Sequence, residues 1–280
     1  MSYQERFLLA GLMGWPVMHS RSPKIHGYWL QQHGLAGAYL PLAIRPDGLE
    51  AALRALPALG FAGVNLTIPH KEEALRIVDR VDPLARRIGA VNCIVVQKDG
   101  SLEGRNYDAF GFVESIRQSA PDFVFNKAPA VVIGAGGASR AILAGLIDEG
   151  VPQIRLINRS PARAQALAQE FGPSVEAVAW EDRAAALDGA GLLVNTTSQG
   201  MVGEPPLDLN LSALPVNALV VDIVYVPLQT PLLREAAVRG NPTVDGLGML
   251  LHQARPAFED WFGVKVAVTP QLRELILATL

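Results

Sequence analysis

Gly134-Ala135-Gly136-Gly137-Ala138-Ser139 puts three glycines where a chain can turn tightly and bring its backbone against a pyrophosphate. The run follows apolar Ala130-Val131-Val132-Ile133, opens a helical stretch over 138–149, and is succeeded by a second strand over 154–157. Strand, glycine turn, helix and strand make half of a dinucleotide-binding unit, and the end of its second strand is where an adenosine ribose sits. NAD binders usually present an acid there, whereas NADP binders bring an arginine. This strand ends in Asn158-Arg159-Ser160-Pro161-Ala162-Arg163. A neutral side chain followed by two cations one helical turn apart suits a 2′-phosphate, with Arg159 placed to lie over the adenine face. The chain therefore reads as an NADP-dependent oxidoreductase. Taken alone, the glycines also fit an ordinary strand-to-helix turn, since Ser139 holds the third position of G-x-G-x-x-G. Arg163 taken alone also fits a solvated helix face. Ser160 and Pro161 read as N-cap and first-turn proline of the next helix.

A second set of polar residues sits at expected strand ends and turns. In His19-Ser20-Arg21-Ser22-Pro23, Ser22 reads as an N-cap at a helix start that also favours an anion. Ser20 has no capping role to explain it, so its hydroxyl is the more suggestive of the two. In Asn65-Leu66-Thr67-Ile68-Pro69-His70-Lys71, Asn65 and Thr67 alternate with apolar neighbours and share one strand face. Such a face needs polar partners. Lys71 falls where a helix is expected to begin, an unfavourable place for a cation. It is either a functional group or a snorkelling surface lysine. Asp108, closing Gly104-Arg105-Asn106-Tyr107-Asp108, is either an N-cap or a functional acid. Asn92, Tyr225 and Gln253 are flanked by apolar residues, and each fits a satisfied buried role or a ligand contact. His19, His26, His33, His70 and His252 show no metal-ligand spacing, so no metal site is expected.

Hydrophobic patterning supplies the elements that hold these groups. Strands are predicted over 7–13, 39–44 and 61–67, and helices over 23–33, 49–56 and 72–78. Residues 91–96 and 101–104 flank Lys98-Asp99-Gly100, a hairpin turn. A helix over 110–117 leads to the nucleotide unit. Beyond it, strands over 192–196 and 219–224 continue the alternation, and helix returns from about Gly246. Alternating strands and helices define an α/β fold with mainly parallel sheets.

The chain has 280 residues, half of them apolar, enough for two domains or one large one. Its net charge of −3 argues against a nucleic-acid or acidic-membrane surface. The single cysteine, Cys93, excludes an intramolecular disulfide and reads as a small core residue in a reducing compartment. No uncharged apolar run approaches the roughly 20 residues of a membrane helix. With no export signal at the N-terminus, the expected location is cytoplasmic.

Together these segments resemble the shikimate dehydrogenase family over nearly the whole chain. The resemblance rests on His19 to Pro23, Val64 to Lys71, Gly89-Ala90-Val91-Asn92, Gly104 to Asp108, the glycine run and Asn158-Arg159-Ser160. It continues through Asn195-Thr196-Thr197-Ser198-Gln199-Gly200-Met201, Asp222-Ile223-Val224-Tyr225, Asp245-Gly246-Leu247-Gly248-Met249-Leu250 and His252-Gln253. It implies an N-terminal α/β substrate-binding domain over 1–107, completed by 246–280, and an NADP-binding Rossmann-like domain over 108–245. The active site is then expected in the cleft between them. The implied reaction is NADPH-dependent reduction of 3-dehydroshikimate to shikimate, in aromatic amino-acid biosynthesis. The implied partners are the small-molecule substrate and NADP, with the chain a monomer or homodimer.

By the same resemblance, Ser20 and Ser22 hold the substrate carboxylate. Asn65, Thr67, Asn92, Asp108 and Gln253 surround the ring hydroxyls, with Tyr225 nearby, and Lys71 and Asp108 form the catalytic pair. Gly134, Ala135, Gly136, Gly137, Ala138, Asn158, Arg159, Ser160, Arg163, Thr196, Thr197, Met201, Ile223 and Gly246 hold the cofactor. A Lys-Asp pair suits ketone reduction, because an ammonium stabilises and then protonates the oxyanion left by hydride transfer. The family usually has Asn-Thr-Asp where this chain has Asn106-Tyr107-Asp108, which leaves a preference for quinate or an aminated analogue open. A non-catalytic nucleotide-sensing protein is disfavoured by the presence of both Lys71 and Asp108.

Overall fold

The computed structural model describes residues 7–280. These divide into two compact units, one running to Tyr107 and resuming at Gln253, the other spanning Asp108–His252.

In the first unit, β1 (Leu8–Gly14), α1 (Ser22–Gln32), β2 (Gly37–Ala43), α2 (Leu49–Ala55) and β3 (Phe61–Leu66) alternate as the apolar patterning requires. Three short elements follow: α3 (Ala74–Ile77), β4 (Arg80–Val81) and α4 (Pro83–Ile88). The last has a full set of boundary signals. Asp82 accepts from the Ala85 N–H (2.8 Å), Pro83 opens the first turn, and Gly89 closes it at φ 74°. A hairpin of β5 (Cys93–Val96) and β6 (Leu102–Arg105) completes a sheet ordered β2-β1-β3-β5-β6-β4. β1 pairs in parallel with β2 and β3, but β5 is antiparallel to both β3 and β6. That reversal has a consequence for the site. It brings the start of β5 and the end of β6 to the same sheet edge as the carboxyl end of β3, with Asn65 opposite Cys93 and Cys93 opposite Arg105.

The second unit opens with α5 (Asp108–Ser119), then β7 (Ala130–Ile133), α6 (Gly137–Asp148), β8 (Ile154–Ile157), α7 (Pro161–Phe171) and β9 (Val175–Val178). β10 (Leu192–Asn195), β11 (Leu219–Asp222), α8 (Pro231–Arg239) and β12 (Thr243–Val244) follow. All pairings are parallel, in the order β12-β11-β10-β7-β8-β9. Numbered within this unit, that is the 3-2-1-4-5-6 arrangement of dinucleotide-binding folds read from the opposite edge. Strand residues alternate between two cores. Val132, Leu156 and Val194 face α5, α6 and α7, while Val131, Ile157, Leu193 and Val220 face α8 and the Leu209–Leu214 stretch.

α9 (Gly246–Phe262) carries the chain back to the first unit, and α10 (Pro270–Leu277) ends it. The packing divides the units within α9 rather than at its start. The reason is local: Gly248 lies against Ser115 of α5, Met249 packs on the second unit's core, and His252 pairs with Gln118 at 2.8 Å. Further along α9, the Trp261 indole donates to the Ile94 carbonyl (2.9 Å) across Gly63, where any β-carbon would overlap both groups.

Candidate active site

The carboxyl edge of the first sheet gathers most of the first unit's candidate residues. Asn65 is the penultimate residue of β3 and is buried. Its Oδ1 accepts from the Tyr39 hydroxyl (2.7 Å) and its Nδ2 donates to the Asn92 carbonyl (3.0 Å). Asn92, just before β5, turns its own Oδ1 to the Tyr107 N–H (2.9 Å), which fixes the orientation of its amide. Thr67 continues from β3 with its N–H on the Met13 carbonyl (3.0 Å). One edge thus carries groups from β1, β2, β3, β5 and β6.

Lys71 departs from expectation. Residues 69–73 form turns, and the helix that follows begins only at Ala74 and spans one turn. The helix-terminus argument for Lys71 therefore falls, because so short a helix has little dipole. Its position is nonetheless well defined. The neighbouring His70 Nε2 lies 2.8 Å from the Ile44 carbonyl, and the Lys71 carbonyl accepts from the Val91 N–H at 2.8 Å. Lys71 itself is half-buried.

The two serines exchange roles. Ser22 is the first residue of α1 rather than its cap, and its side chain makes no capping bond. Ser20 takes up the nearby amide instead, accepting from the Ser22 N–H (3.2 Å), with its hydroxyl 3.3 Å from that of Ser22. Ser20 accordingly has a structural partner that the sequence did not suggest. Asp108 is likewise the first residue of α5, not a residue ahead of it, and is 7% exposed.

Tyr107 does not project as an unattached phenol. Its hydroxyl donates to Asp260 of α9, in a cluster where Arg105 reaches Asp260 and Glu103 (both 2.7 Å). Burial holds the Tyr107 hydroxyl well above its ordinary pKa. Tyr39, Arg105, Asn106 and Asp260 were not singled out from sequence. A Tyr in an apolar strand was the available signal for the first, because a buried phenol needs a partner. Gln253 lies on α9, half-buried.

In the second unit the candidate cofactor residues cluster at the carboxyl ends of β7, β8, β10, β11 and β12, where such sheets bind ligands. Gly134 adopts φ 113° against Thr196, a conformation natural only to glycine. Gly136 is the N-cap of α6 with no side-chain cap, and a β-carbon on Gly136 or Gly137 would meet no protein atom within 4 Å. An uncapped helix start with open space over its first glycines makes a cradle that fits a phosphate. At the end of β8, Arg159 and Arg163 are exposed, and their side chains make no hydrogen bond or ion pair among the described residues. Ser160 occupies the N-cap position of α7 without making the cap bond. The residues present therefore fit a dinucleotide carrying a 2′-phosphate.

A buried network shapes the loops after β10 and β11. Asp222 accepts from Asn195 Nδ2 (3.1 Å), the Val224 N–H (3.0 Å) and the Thr230 hydroxyl (2.8 Å). Burial raises its pKa against those three bonds. Asn195 Oδ1 in turn holds Thr197 (2.7 Å), and Thr196 is tied to the Ile133 carbonyl (2.7 Å). Ile223 is half-buried, Met201 is exposed, and Gly246 packs its α-carbon against the Ile223 carbonyl. Tyr225 lies in the loop after β11 and is half-buried. Among the described residues no group of His, Cys, Asp or Glu is arranged to hold a metal ion.

An all-parallel unit with a glycine-turn cradle, joined to an α/β unit with a polar sheet edge, defines a dinucleotide-dependent oxidoreductase. Residues 12–94 match the shikimate dehydrogenase substrate binding domain, and 116–223 match the shikimate / quinate 5-dehydrogenase family. The NADP(+) shikimate dehydrogenase of Paramagnetospirillum magneticum is 60% identical over 96% of this chain and 98% of that protein. The chain belongs to the shikimate dehydrogenase family. Among solved structures, shikimate 5-dehydrogenase from Thermus thermophilus in complex with NADP(H) and shikimate is similar at a TM-score of 0.87. It is 39% identical, over 98% of this chain and all of that one. Quinate dehydrogenase from Corynebacterium glutamicum in complex with NAD reaches 0.90 at 32% identity, over 97% and 99%.

Proposed function

We propose that the chain reduces 3-dehydroshikimate to shikimate, reversibly, with NADPH, as a step in aromatic amino-acid biosynthesis. The observation that carries the cofactor choice is the pair of exposed, unengaged arginines at the end of β8 beside the open glycine cradle. Bound there, the dinucleotide supplies the hydride. Gly134, Ala135, Gly136, Gly137 and Ala138 form the phosphate cradle, Asn158, Arg159, Ser160 and Arg163 meet the adenosine end, and Thr196, Thr197, Met201, Ile223 and Gly246 line the rest.

Ser20 and Ser22 hold the substrate carboxylate. Asn65, Thr67, Asn92, Asp108 and Gln253 recognise its hydroxyls, with Tyr225 nearby. Asn65 already uses one donor and one acceptor within the protein, so only its remaining N–H and lone pair serve substrate. Lys71 meets the charge developing on the carbonyl oxygen and gives it a proton, with Asp108 as its catalytic partner. Oxidation of the alcohol releases a proton, so alkaline pH favours that direction. The enzyme works in the cytoplasm, a reducing setting that suits the buried thiol of Cys93. Incubating the chain with 3-dehydroshikimate and NADPH tests the reading. Loss of NADPH absorbance with shikimate as the recovered product supports it, and consumption of neither reactant refutes it.

A further inference from the structure

Glu103, Arg105, Tyr107 and Asp260 form a cluster that no step of the proposed reaction uses. Arg105 Nε donates to Glu103 Oε1 and its NH1 to Asp260 Oδ1, both at 2.7 Å, with the Tyr107 hydroxyl 3.3 Å from the same NH1. The Tyr107 hydroxyl donates to the other Asp260 oxygen. Gln97 Nε2 supports Glu103 from the far side of the hairpin (2.9 Å). The charged side chains retain only 18–27% of their exposure, so they are shielded from solvent and strongly coupled. The carboxylate of Asp260 comes from α9, whose next residue, Trp261, is locked to β5 across Gly63. The cluster thus ties the C-terminal return helix to the end of β6.

What it holds is the backbone of Tyr107. The Tyr107 N–H donates to Asn92 Oδ1, while Asn92 O receives Asn65 Nδ2 and the Leu66 N–H (2.9 Å). Asp260 therefore reaches the polar sheet edge by two hydrogen-bonded steps through one residue. We propose that Asp260 and Tyr107 are positioning residues that set the amide of Asn92, and thereby recognition of a substrate hydroxyl. The proposal rests on the assignment of Asn92 to substrate. It gives Tyr107 a role that a threonine there could not fill, because only the phenol spans to α9.

The test uses the intact chain with Tyr107→Phe, Asp260→Asn, the double variant and Asp260→Glu. Tyr107→Phe removes one oxygen from a ring that stays packed, and Asp260→Asn leaves Arg105 its Glu103 partner, so both are expected to fold. Misplaced substrate contacts cost rate steeply. kcat/KM for shikimate should fall about tenfold in each single variant, with much of the loss in KM. The NADPH dissociation constant should stay unchanged, because nothing in the cofactor cradle is touched. The double variant should be no worse than the poorer single one, since both break the same link, and Asp260→Glu should recover most of the loss. Wild-type inactivity on shikimate would refute the functional reading itself. With an active wild type, the clamp is overturned by single variants within twofold of it, by additive losses, or by losses that track a lowered Tm.

Discussion

On the proposed reaction Lys71 and Asp108 bear the chemistry, and their replacement separates proton transfer from binding. Loss of one general acid is worth about 10²–10⁴-fold, so Lys71→Ala should lower kcat by that range while the fold survives. A fall of less than tenfold in a well-folded variant would remove Lys71 as the proton donor. Asp108→Asn should also lower kcat, whereas Ser20→Ala should act mainly through KM, because a carboxylate remote from the reacting carbon is held alike in ground and transition states. The Ser20 bond to the Ser22 N–H adds a structural element to that variant. A Tm loss equivalent to about 0.5–1 kcal/mol should accompany its KM change. His26 makes a prediction of a different kind. Its ring is fully buried, stacks on Tyr39 at 4.1 Å, and neither nitrogen has a hydrogen-bond partner among the described residues. Burial lowers its pKa from 6.5 to about 3. Between those values the unfolded chain binds the extra proton, so stability falls as pH drops through that window, by about 1.4 kcal/mol per unit. Chemical denaturation should show wild type losing about 2 kcal/mol more than His26→Phe between pH 7 and pH 5. Buried acids such as Asp222 and Asp260 titrate with the opposite sign, and they cancel in that comparison. Parallel pH curves for the two proteins would show that His26 is not buried neutral.

Elements were legible in proportion to how apolar and how well bounded they are. β7 is an uninterrupted apolar run and β8 is apolar but for Arg155, and both could be read to the residue. β9 alternates Val175, exposed Glu176, Ala177 and Val178 at the sheet's edge, and so short an alternation was passed over. α4 and α8 were missed although Asp82-Pro83 and Thr230-Pro231 announce both, and each of those caps accepts a first-turn N–H. The polar sheet edge was visible in Asn65, Thr67 and Asn92 because each breaks an apolar stretch. Its wiring was not, since Tyr107 and Asp260 lie 153 residues apart and no local pattern joins them. At this scale Gly63 is the position to change. A methyl there would overlap the Ile94 carbonyl and the Trp261 indole that seats α9. Gly63→Ala should destabilise the chain by about 1–3 kcal/mol in urea unfolding. A change within about 0.5 kcal/mol would mean that the helix adjusts freely.

The whole molecule carries a substrate unit and an NADP unit in one enzyme. The family relationship covers both units, and the similarity to a quinate dehydrogenase in complex with NAD makes substrate and cofactor the two choices worth separating. On the proposed binding mode, charge-assisted bonds to the 2′-phosphate from Arg159 and Arg163 would contribute about 1.5–3 kcal/mol each, and Asn158→Asp with Arg159→Ala should erase or reverse the resulting preference. The most direct measurement is a set of initial rates on the unmodified chain, shikimate or quinate against NADP or NAD. The account predicts that shikimate with NADP is turned over best, with kcat/KM at least about tenfold above that with NAD. Equal values for the two cofactors, or faster turnover of quinate than shikimate, would contradict it.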